Sequence, residues 1–252
     1  GNIKVYTVEH VLSALYALNI DNLIIEIDNI EPPIFDGSSK KFVDEIIKSG
    51  RKELNSKRKY LKITETINFY DEKSNIRLSV KPADRFKITF ECDFPFGNIG
   101  KQKYNFNSLD KYIKEIAQAR TFCSIDELLD LKKNNLINGA TINSGIVFLK
   151  NNSLSEIEQI QKSLGIEINN SDNKGVLLNN TQLRYDDEPV RHKILDLIGD
   201  LALIGQPIIG HIESYKSGHR TNIEFGKKIK MLYSNFKFNK AQIKEVIPHR
   251  DP

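Results

Sequence analysis

The segment EPVRHKILDLIGDLALIG, residues 188–205, constrains the fold of this chain more than any other. Its apolar residues recur at helical spacing, so the pattern predicts a helix that is largely buried. His192, Asp196 and Asp200 follow at intervals of four residues, which places them in one line along the helix. Since the flanking positions are almost wholly apolar, little of the helix can face solvent. A half-buried carboxylate then needs a charged partner or a metal.

Two interpretations of this polar line follow from the helix alone. It is either an ordinary solvent-facing stripe, or part of a metal site in which His192 and Asp196 supply two ligands of the types that zinc accepts. The third ligand would come from the other four histidines, which are His10, His211, His219 and His249. Glu9 precedes His10, and a glutamate beside a metal-bound histidine can deprotonate the attacking water. Spacing alone leaves the choice of third ligand open.

Composition narrows the class of protein. A chain of 252 residues with 39% hydrophobic and 28% charged residues is typical of a soluble globular protein with a sizeable core. No apolar run approaches the roughly 20 residues of a membrane span, and no signal peptide is recognisable, so we expect a cytoplasmic protein that is not integral to a membrane. Two cysteines do not make a disulfide framework. The net charge of +4 is spread over scattered lysines, which argues against nucleic-acid binding and suits a small anionic ligand.

The order of predicted elements indicates an α+β protein. Thr7 is predicted to cap a first helix, and residues 22–28 (NLIIEID) read as a buried strand. A loop at 31–39 and an amphipathic helix at 40–50 follow, and the charged stretch 51–59 is the predicted domain boundary. Further along, the patterns predict strands within 60–94, a helix near 108–118, a turn, helix and short strand up to 149, a strand from 208 and a last helix at 222–233.

Six segments then carry a resemblance to a known family. They are TVEHVLSAL, NIDNLIIEID, PPIFDGSS, ARTFCSIDE, LRYDDEPVRHKILDLIGDL and YKSGH, in this order along the chain. In these segments the chain resembles UDP-3-O-acyl-N-acetylglucosamine deacetylases, the zinc enzymes that commit carbon to lipid A synthesis. The resemblance covers roughly residues 3–232. It implies a two-domain sandwich of β-sheets packed around helices.

The resemblance also implies a role for each matching residue. The expected metal ligands are His10, His192 and Asp196, with Zn²⁺ as the cofactor and Fe²⁺ as the alternative. The expected catalytic residues are Glu9 as general base, His219 as general acid, Asp200 as the carboxylate that orients it, and Thr121 near the oxyanion. The expected substrate-binding residues are Phe122, Lys193 and Lys216. Two positions depart from the family pattern: Ser124, where many relatives carry an aromatic residue, and Glu127, where an aspartate is common.

The tail IKEVIPHRDP resembles a second family, the start of the hotdog-fold 3-hydroxyacyl-ACP dehydratase, in which His249 would match the catalytic histidine. We therefore expect three regions. Residues 1–56 would be the C-terminal part of deacetylase domain I without its N-terminal strands. Residues 57–236 would form domain II with a surface insertion near 150–175, and residues 237–252 a linker and the first residues of the dehydratase. Acyl carrier protein would be a partner only through the dehydratase residues beyond this segment.

The implied function is hydrolytic removal of the N-acetyl group from UDP-3-O-(3-hydroxyacyl)-N-acetylglucosamine. The acyl chain would follow a route built from a minority of the apolar residues in 122–148, namely some of Ile125, Leu128, Leu129, Leu136, Ile137, Ile142, Ile146 and Val147. Three alternatives stay open from the sequence: a different zinc amidohydrolase on a related scaffold, a nucleotide-sugar binder, and an inactive truncated remnant of the same fold.

Overall fold

The structure is a computed structural model that describes residues 3–95, 99–133, 144–149, 158–159, 162 and 182–235. Most of the insertion predicted near 150–175 lies outside the described residues, and the dehydratase-like tail lies wholly outside them. Within the described residues the element order is mixed helix and strand, which confirms the α+β prediction. The division into two domains stays a prediction. No described helix is long and apolar enough to cross a membrane.

The predicted polar-line helix is the centre of the fold. It spans Glu188–Ala202 (α5), and 12 of its 15 residues are buried. Pro189 stands in its first turn, where the missing N–H costs no hydrogen bond. A helix that is buried on nearly every side must be surrounded by other elements. Those elements include α1 (Glu9–Ala17), the last helix α6 (His219–Asn235) and the face of a sheet.

The main sheet is mixed. Its strands are β1 (Leu61–Lys62), β2 (Ile67–Asp71), β3 (Ile76–Lys81), β4 (Phe86–Phe94), β5 (Gly100–Phe106) and β8 (Ile208–Tyr215). The strand order is β2-β3-β8-β4-β5, with β8 antiparallel to β3 and parallel to β4, and the short β1 pairs with the start of β8. Every second residue of β4 from Phe86 to Phe94 is buried, so one face of the sheet packs on the helices.

Smaller elements connect the sheet to the site. An amphipathic α2 (Lys40–Ser49) ends at Gly50, as predicted, and a 3₁₀ turn at Leu109–Lys111 leads into α3 (Tyr112–Glu115). A separate parallel pair joins β6 (Phe122–Ser124) to β7 (Ile146–Phe148), with α4 (Ile125–Lys133) between them in sequence. Ser124 and Glu127 bond reciprocally through their side chains and backbone N–H groups, a capping box that starts α4.

Two predictions near the N-terminus are wrong. Thr7 does not cap α1, because Val8 occupies the N-cap position while Thr7 has φ 53° and its hydroxyl donates to Glu31 at 2.8 Å. Residues 22–28 form no strand, and all of them are exposed, Ile24 at 89%. Apolar content predicted burial there, but a strand also requires a partner for its backbone, and the described residues provide none for 22–28.

Two further elements differ from the sequence-based prediction. β5 was missed because its side chains are mostly polar, with Phe106 the only fully buried residue, a pattern that suits the edge of a sheet. His219 was expected at the end of a strand, but β8 ends at Tyr215 and His219 is the first residue of α6. This places the His219 side chain at the junction between the sheet and the helices.

Candidate metal centre and active site

The site begins where α1 crosses α5. Gly199 lies at this crossing, and a Cβ built on it would stand 2.2 Å from the backbone oxygen of Glu9 and 2.7 Å from the Glu9 Cα. Only a residue without a side chain allows the two backbones to approach this closely. The contact brings the first turn of α1, with Glu9 and His10, against the line of polar residues on α5.

His10, His192 and Asp196 converge at this crossing. One ligand atom from each lies within 4.8 Å of the others, and all three side chains are buried. The two imidazole rings meet edge to face, with centroids 5.1 Å apart. Two imidazoles and one carboxylate form a donor set that zinc and similar divalent metals accept, with a further coordination position left for water. These three residues could hold a metal ion.

The proton of His192 can be assigned from its surroundings. Its Nδ1 lies 2.9 Å from the backbone oxygen of Ala119, which can only accept, so Nδ1 carries a proton and donates. The other nitrogen, Nε2, lies 3.1 Å from Oδ1 of Asp196. The arrangement matches the hydrogen bond from the second ring nitrogen that orients metal-binding histidines.

Burial and neighbouring charges set the protonation of the other two candidate ligands. Burial, together with the neighbouring His192, lowers the pKa of His10 to about 3. Burial by itself would raise the pKa of Asp196, but His192 and Lys193 outweigh it, and the pKa lies well below its ordinary value. Neutral imidazole and ionised carboxylate are the forms that bind a metal. Both residues are therefore ready to bind at neutral pH without releasing a proton.

A second polar group is formed by Asp200, one turn beyond Asp196 on α5, with His219 and Asn222 of α6. His219 Nδ1 contacts Oδ2 and Oδ1 of Asp200 at 3.0 and 3.2 Å, and Asn222 donates its amide N–H to Oδ2 at 2.8 Å. The hydrogen bond to Asp200 raises the pKa of His219 to about 9. His219 is therefore an imidazolium at neutral pH, oriented by a carboxylate that Asn222 also holds.

Glu9 faces this imidazolium from the other side of the site. Its Oε1 lies 3.9 Å from Nε2 of His219. Burial raises the pKa of Glu9 above its ordinary value, with the Asp196 and Asp200 carboxylates adding to the effect and His219 opposing it. A carboxylate with a raised pKa is a stronger base than one in water, which is the property that general-base catalysis requires.

Lys193 and Phe122 lie on the same side of the metal centre. Lys193 donates to Oδ2 of Asp196 at 3.0 Å, and its ammonium lies 5.4 Å from the ring centroid of Phe122. Burial by itself would lower the pKa of Lys193, but Asp196 outweighs it and the pKa is raised, so Lys193 is charged. The Phe122 ring contacts His192 edge to face at 6.2 Å. Both side chains therefore lie beside the candidate metal ligands.

Lys216 lies further from the metal centre. Its φ is 58°, and its backbone N–H donates to the oxygen of Glu91 at 2.9 Å. Its ammonium lies 3.6 Å from Oδ2 of Asp93 and over the Tyr215 ring. The side chain is partly exposed at the end of β8, just before Ser217, Gly218 and His219. It therefore borders the site without contacting any of the candidate metal ligands.

Thr121 is held between two glycines. A Cβ on Gly37 would lie 2.8 Å from the Thr121 methyl carbon, and one on Gly145 would lie 3.0 Å from it. The Thr121 N–H donates to Gly37 at 2.7 Å, and Ile146 donates to the Thr121 oxygen at 2.8 Å. The Thr121 methyl group therefore occupies space that side chains at the two glycine positions would need, and this packing restricts the Thr121 rotamer.

The remaining residues predicted from the sequence lie away from the candidate metal ligands or outside the described residues. His249 lies outside the described residues, as do Leu136, Ile137 and Ile142 of the predicted acyl route. Ile125, Ile146 and Val147 are buried, while Leu128 and Leu129 are partly exposed on α4. His211, one of the candidate third ligands, lies on β8 and contacts Thr89 at 2.9 Å, away from the metal centre.

Sequence reasoning missed several residues that build the site. Asn222, Gly199 and the backbone oxygen of Ala119 contact the predicted residues directly, as described above. The only local signal was that Gly199 stands inside a strongly predicted helix, where a glycine usually marks a close approach. Asn222 and Ala119 carry no local signal, because their contacts depend on chain segments that are distant in sequence.

The sequence of this chain is similar to those of several known proteins. The chain is 35% identical to the bifunctional enzyme LpxC/FabZ of Chlorobaculum tepidum, over 100% of this chain and 58% of the relative. The protein of the same name from Porphyromonas gingivalis is also 35% identical, over 100% of this chain and 57% of the relative. The UDP-3-O-acyl-N-acetylglucosamine deacetylase of Nautilia profundicola is 40% identical, over 87% of this chain and 66% of the relative. The chain spans little more than half the length of the two bifunctional relatives.

The family profile covers nearly all of the described fold. The profile described as UDP-3-O-acyl N-acetylglycosamine deacetylase matches residues 1–163 and 156–231. These ranges include α1, the main sheet, α5 and nearly all of α6, and therefore every predicted site residue except His249. The chain belongs to the UDP-3-O-acyl N-acetylglycosamine deacetylase family.

Proposed function

We propose that this protein is a metal-dependent amidohydrolase that removes the N-acetyl group from a UDP-3-O-acyl-N-acetylglucosamine in lipid A biosynthesis. The observation that carries the proposal is the convergence of His10, His192 and Asp196, with Glu9 and the His219–Asp200 pair beside them. A possible metal site, a candidate base and a candidate acid together form the set that hydrolysis of an amide requires. Two relatives named above as bifunctional, and one named as the deacetylase, support the assignment.

The metal that best fits the donor set is Zn²⁺, because two imidazoles and a carboxylate match its ligand preference. Fe²⁺ is the alternative, since imidazole also suits iron. When bound, a divalent metal of this kind supplies a water of lowered pKa and polarises the amide carbonyl. His10, His192 and Asp196 would hold it, with the His192 ring oriented by the backbone oxygen of Ala119.

Glu9 and His219 would carry the protons. Glu9 would accept a proton from the water as it attacks the acetamide carbonyl. His219, charged at neutral pH because of Asp200, would stabilise the negative charge that develops on the carbonyl oxygen and then protonate the leaving sugar amine. The 3.9 Å between Glu9 and His219 would let both groups act on one acetamide group, Glu9 on the attacking water and His219 on the oxygen and nitrogen of the amide. The hydroxyl of Thr121 would donate a further hydrogen bond to the oxyanion.

The remaining predicted residues would bind the substrate. Lys193 and Phe122 lie beside the metal centre, where they would contact the sugar. Lys216 would attract the diphosphate, since its ammonium is charged and its side chain is partly exposed. We propose that the acyl chain leaves the site along the 122–148 region. A buried methylene is worth about 0.8 kcal/mol, so a chain of several carbons would add substantially to binding.

We further propose that the protein is cytoplasmic and that its chain continues into a dehydratase that acts on acyl groups carried by acyl carrier protein. The support for this continuation is the tail IKEVIPHRDP and the two relatives named bifunctional enzyme LpxC/FabZ. In that arrangement His249 would serve the dehydratase and have no part in deacetylation.

The test compares two substrates in the full-length protein. UDP-3-O-(3-hydroxyacyl)-N-acetylglucosamine and unacylated UDP-N-acetylglucosamine are incubated with Zn²⁺-loaded enzyme, and the free amine product is measured by mass spectrometry. We expect a much higher kcat/KM on the acylated substrate, and loss of activity with a chelator that Zn²⁺ restores. Equal kcat/KM on both substrates would instead indicate a general nucleotide-sugar deacetylase, and absence of deacetylation would refute the proposal.

A further inference from the structure

The Glu188 carboxylate lies at the start of α5 with no exposed surface. Its Oε1 accepts hydrogen bonds from the backbone N–H and the Nε of Arg120, at 3.0 and 2.8 Å. Its Oε2 accepts from Nη2 of Arg120 at 3.1 Å and from the backbone N–H of Arg184 at 2.6 Å. Each oxygen therefore has two donors, and the Arg120 guanidinium balances the buried charge.

The two arginines extend this junction to other segments. Arg120 also donates from Nη2 to the backbone oxygen of Gln182 at 2.8 Å. Arg184 donates from Nη1 to the backbone oxygen of Gln118 at 2.8 Å and from Nη2 to Asp36 at 2.7 Å. The segment 118–121 is thus fixed at both ends, and the loop that carries Asp36 is tied to it.

That segment contacts the metal centre directly. The backbone oxygen of Ala119 accepts the Nδ1–H of His192 at 2.9 Å. Glu188 and His192 lie one turn apart on α5. Glu188 binds Arg120 and His192 binds the neighbouring Ala119, so two adjacent residues of the 118–121 segment are held by two adjacent turns of the helix. Any shift of Arg120 away from Glu188 would carry the Ala119 oxygen with it.

We propose that Glu188, through its ion pair with Arg120, is a positioning residue that fixes the Ala119–His192 hydrogen bond and so the orientation of a metal ligand. The proposal rests on the metal-dependent function given above. Replacing a buried ion pair by an apolar pair of similar volume is often neutral or stabilising, so net stability does not explain this pair. The ion pair instead orients the segment that carries Arg120, because the guanidinium and the backbone N–H of Arg120 both donate to the one Glu188 carboxylate.

The test uses Glu188→Gln in the full-length protein, with Asp187→Asn as the matched control. Asp187 is the neighbouring carboxylate and pairs with Arg191 on the same helix, away from Arg120. Two quantities are measured: the affinity for Co²⁺, from its visible absorption bands, and the Nδ1–H resonance of His192 in histidine labelled with ¹⁵N. We expect Glu188→Gln to bind Co²⁺ about 10- to 100-fold more weakly, the usual effect of disturbing a partner of a metal ligand.

The His192 resonance distinguishes positioning from a general loss of stability. In Glu188→Gln it should shift or broaden as its hydrogen bond weakens, while in Asp187→Asn both readouts should match the wild type. Unchanged Co²⁺ affinity and an unchanged resonance in folded Glu188→Gln would overturn the proposal. Should that variant not fold, Arg120→Met/Glu188→Leu refills the space with apolar side chains, and the same two readouts decide.

Neither readout requires turnover. A wild-type protein that binds Co²⁺ but does not deacetylate would refute the proposed reaction and leave the positioning role intact. An active wild type whose Glu188→Gln variant keeps both readouts would refute the positioning role alone. In a wild type that bound no Co²⁺, the His192 resonance of the metal-free protein would still show whether Glu188 controls the Ala119 hydrogen bond.

Discussion

Gly199 of α5 lies against the backbone of Glu9 in α1, so closely that a Cβ on the glycine would overlap the Glu9 oxygen at 2.2 Å. The contact falls between Asp196 and Asp200 on one helix and directly before His10 on the other. The distance between the two halves of the candidate metal centre is therefore set by the absence of a side chain at Gly199.

Gly199→Ala should separate α1 from α5 and weaken the metal centre. In a helix that lacked this contact, the substitution would be stabilising, because alanine favours the helix by about 1 kcal/mol over glycine. We expect a lower melting temperature instead, and a smaller rise in that temperature when Zn²⁺ is added, because a ligand that binds more weakly stabilises the folded state less. Gly226→Ala on α6 is the control, since its Cβ would meet only side chains at 3.5 Å and beyond. Equal behaviour of the two variants would contradict the prediction.

Glu9→Gln should keep the metal and lose turnover. The amide has nearly the size of the carboxylate but cannot accept the proton, and a positioned base contributes about 10²–10⁴-fold to rate. Zinc content by atomic spectrometry should stay at the wild-type value while kcat falls. His10→Ala is the complementary variant and should lose the zinc itself. Near-normal kcat in Glu9→Gln would remove Glu9 from the mechanism.

The activity should decline on the alkaline side as His219 loses its proton. The pKa of His219 is raised to about 9 by its hydrogen bond with Asp200, so kcat/KM should fall around that pH in metal-loaded enzyme, or somewhat lower because a bound cation opposes the imidazolium charge. Asp200→Asn should move the alkaline limb to lower pH. His211→Gln, which changes a histidine away from the site, should leave it in place. An alkaline limb unaffected by Asp200→Asn would show that another group controls it.

The same shift predicts how stability depends on pH in the metal-free protein. A pKa raised from 6.5 to about 9 means that the folded state binds the proton more tightly than the unfolded state. The stabilisation from the His219–Asp200 pair is therefore complete below about pH 6.5 and is lost as the pH rises through about 9. Melting temperatures of wild type and His219→Gln should accordingly converge between these values. A difference that stays constant over this range would contradict the assignment.

Thr121→Val should separate the chemical role of the hydroxyl from the packing role of the methyl. Valine keeps a methyl group between Gly37 and Gly145, so the melting temperature and zinc content should change little. Loss of one hydrogen bond to the oxyanion costs about 10²–10³ in kcat. Thr121→Ser keeps the hydroxyl and removes the methyl, so we expect the opposite balance, with lower stability and a smaller loss of kcat. Full activity in Thr121→Val would exclude the hydroxyl from catalysis.

The sequence alone determined the features that depend on local periodicity. The apolar spacing of residues 188–205 predicted the buried helix and placed His192, Asp196 and Asp200 along it, because helical geometry relates residues four apart. Glycine at 50 marked the end of α2 for an equally local reason. The family resemblance, carried by the order of the motifs, also predicted that His10 and Glu9 act together with residues that are distant in the chain.

Tertiary structure decided the features that depend on contacts between segments distant in sequence. The apolar run within residues 22–28 predicts a buried strand, yet these residues are exposed, while the mostly polar residues 100–106 form an edge strand. Strand formation depends on a backbone partner that local composition does not specify. The Ala119 oxygen likewise determines which nitrogen of His192 carries the proton, and Asp200 raises the pKa of His219. Gly37 and Gly145 restrict the rotamer of Thr121. The sequence supplies the reactive groups, and packing sets their distances and protonation, because electrostatic and steric forces act between atoms that only the folded chain brings together.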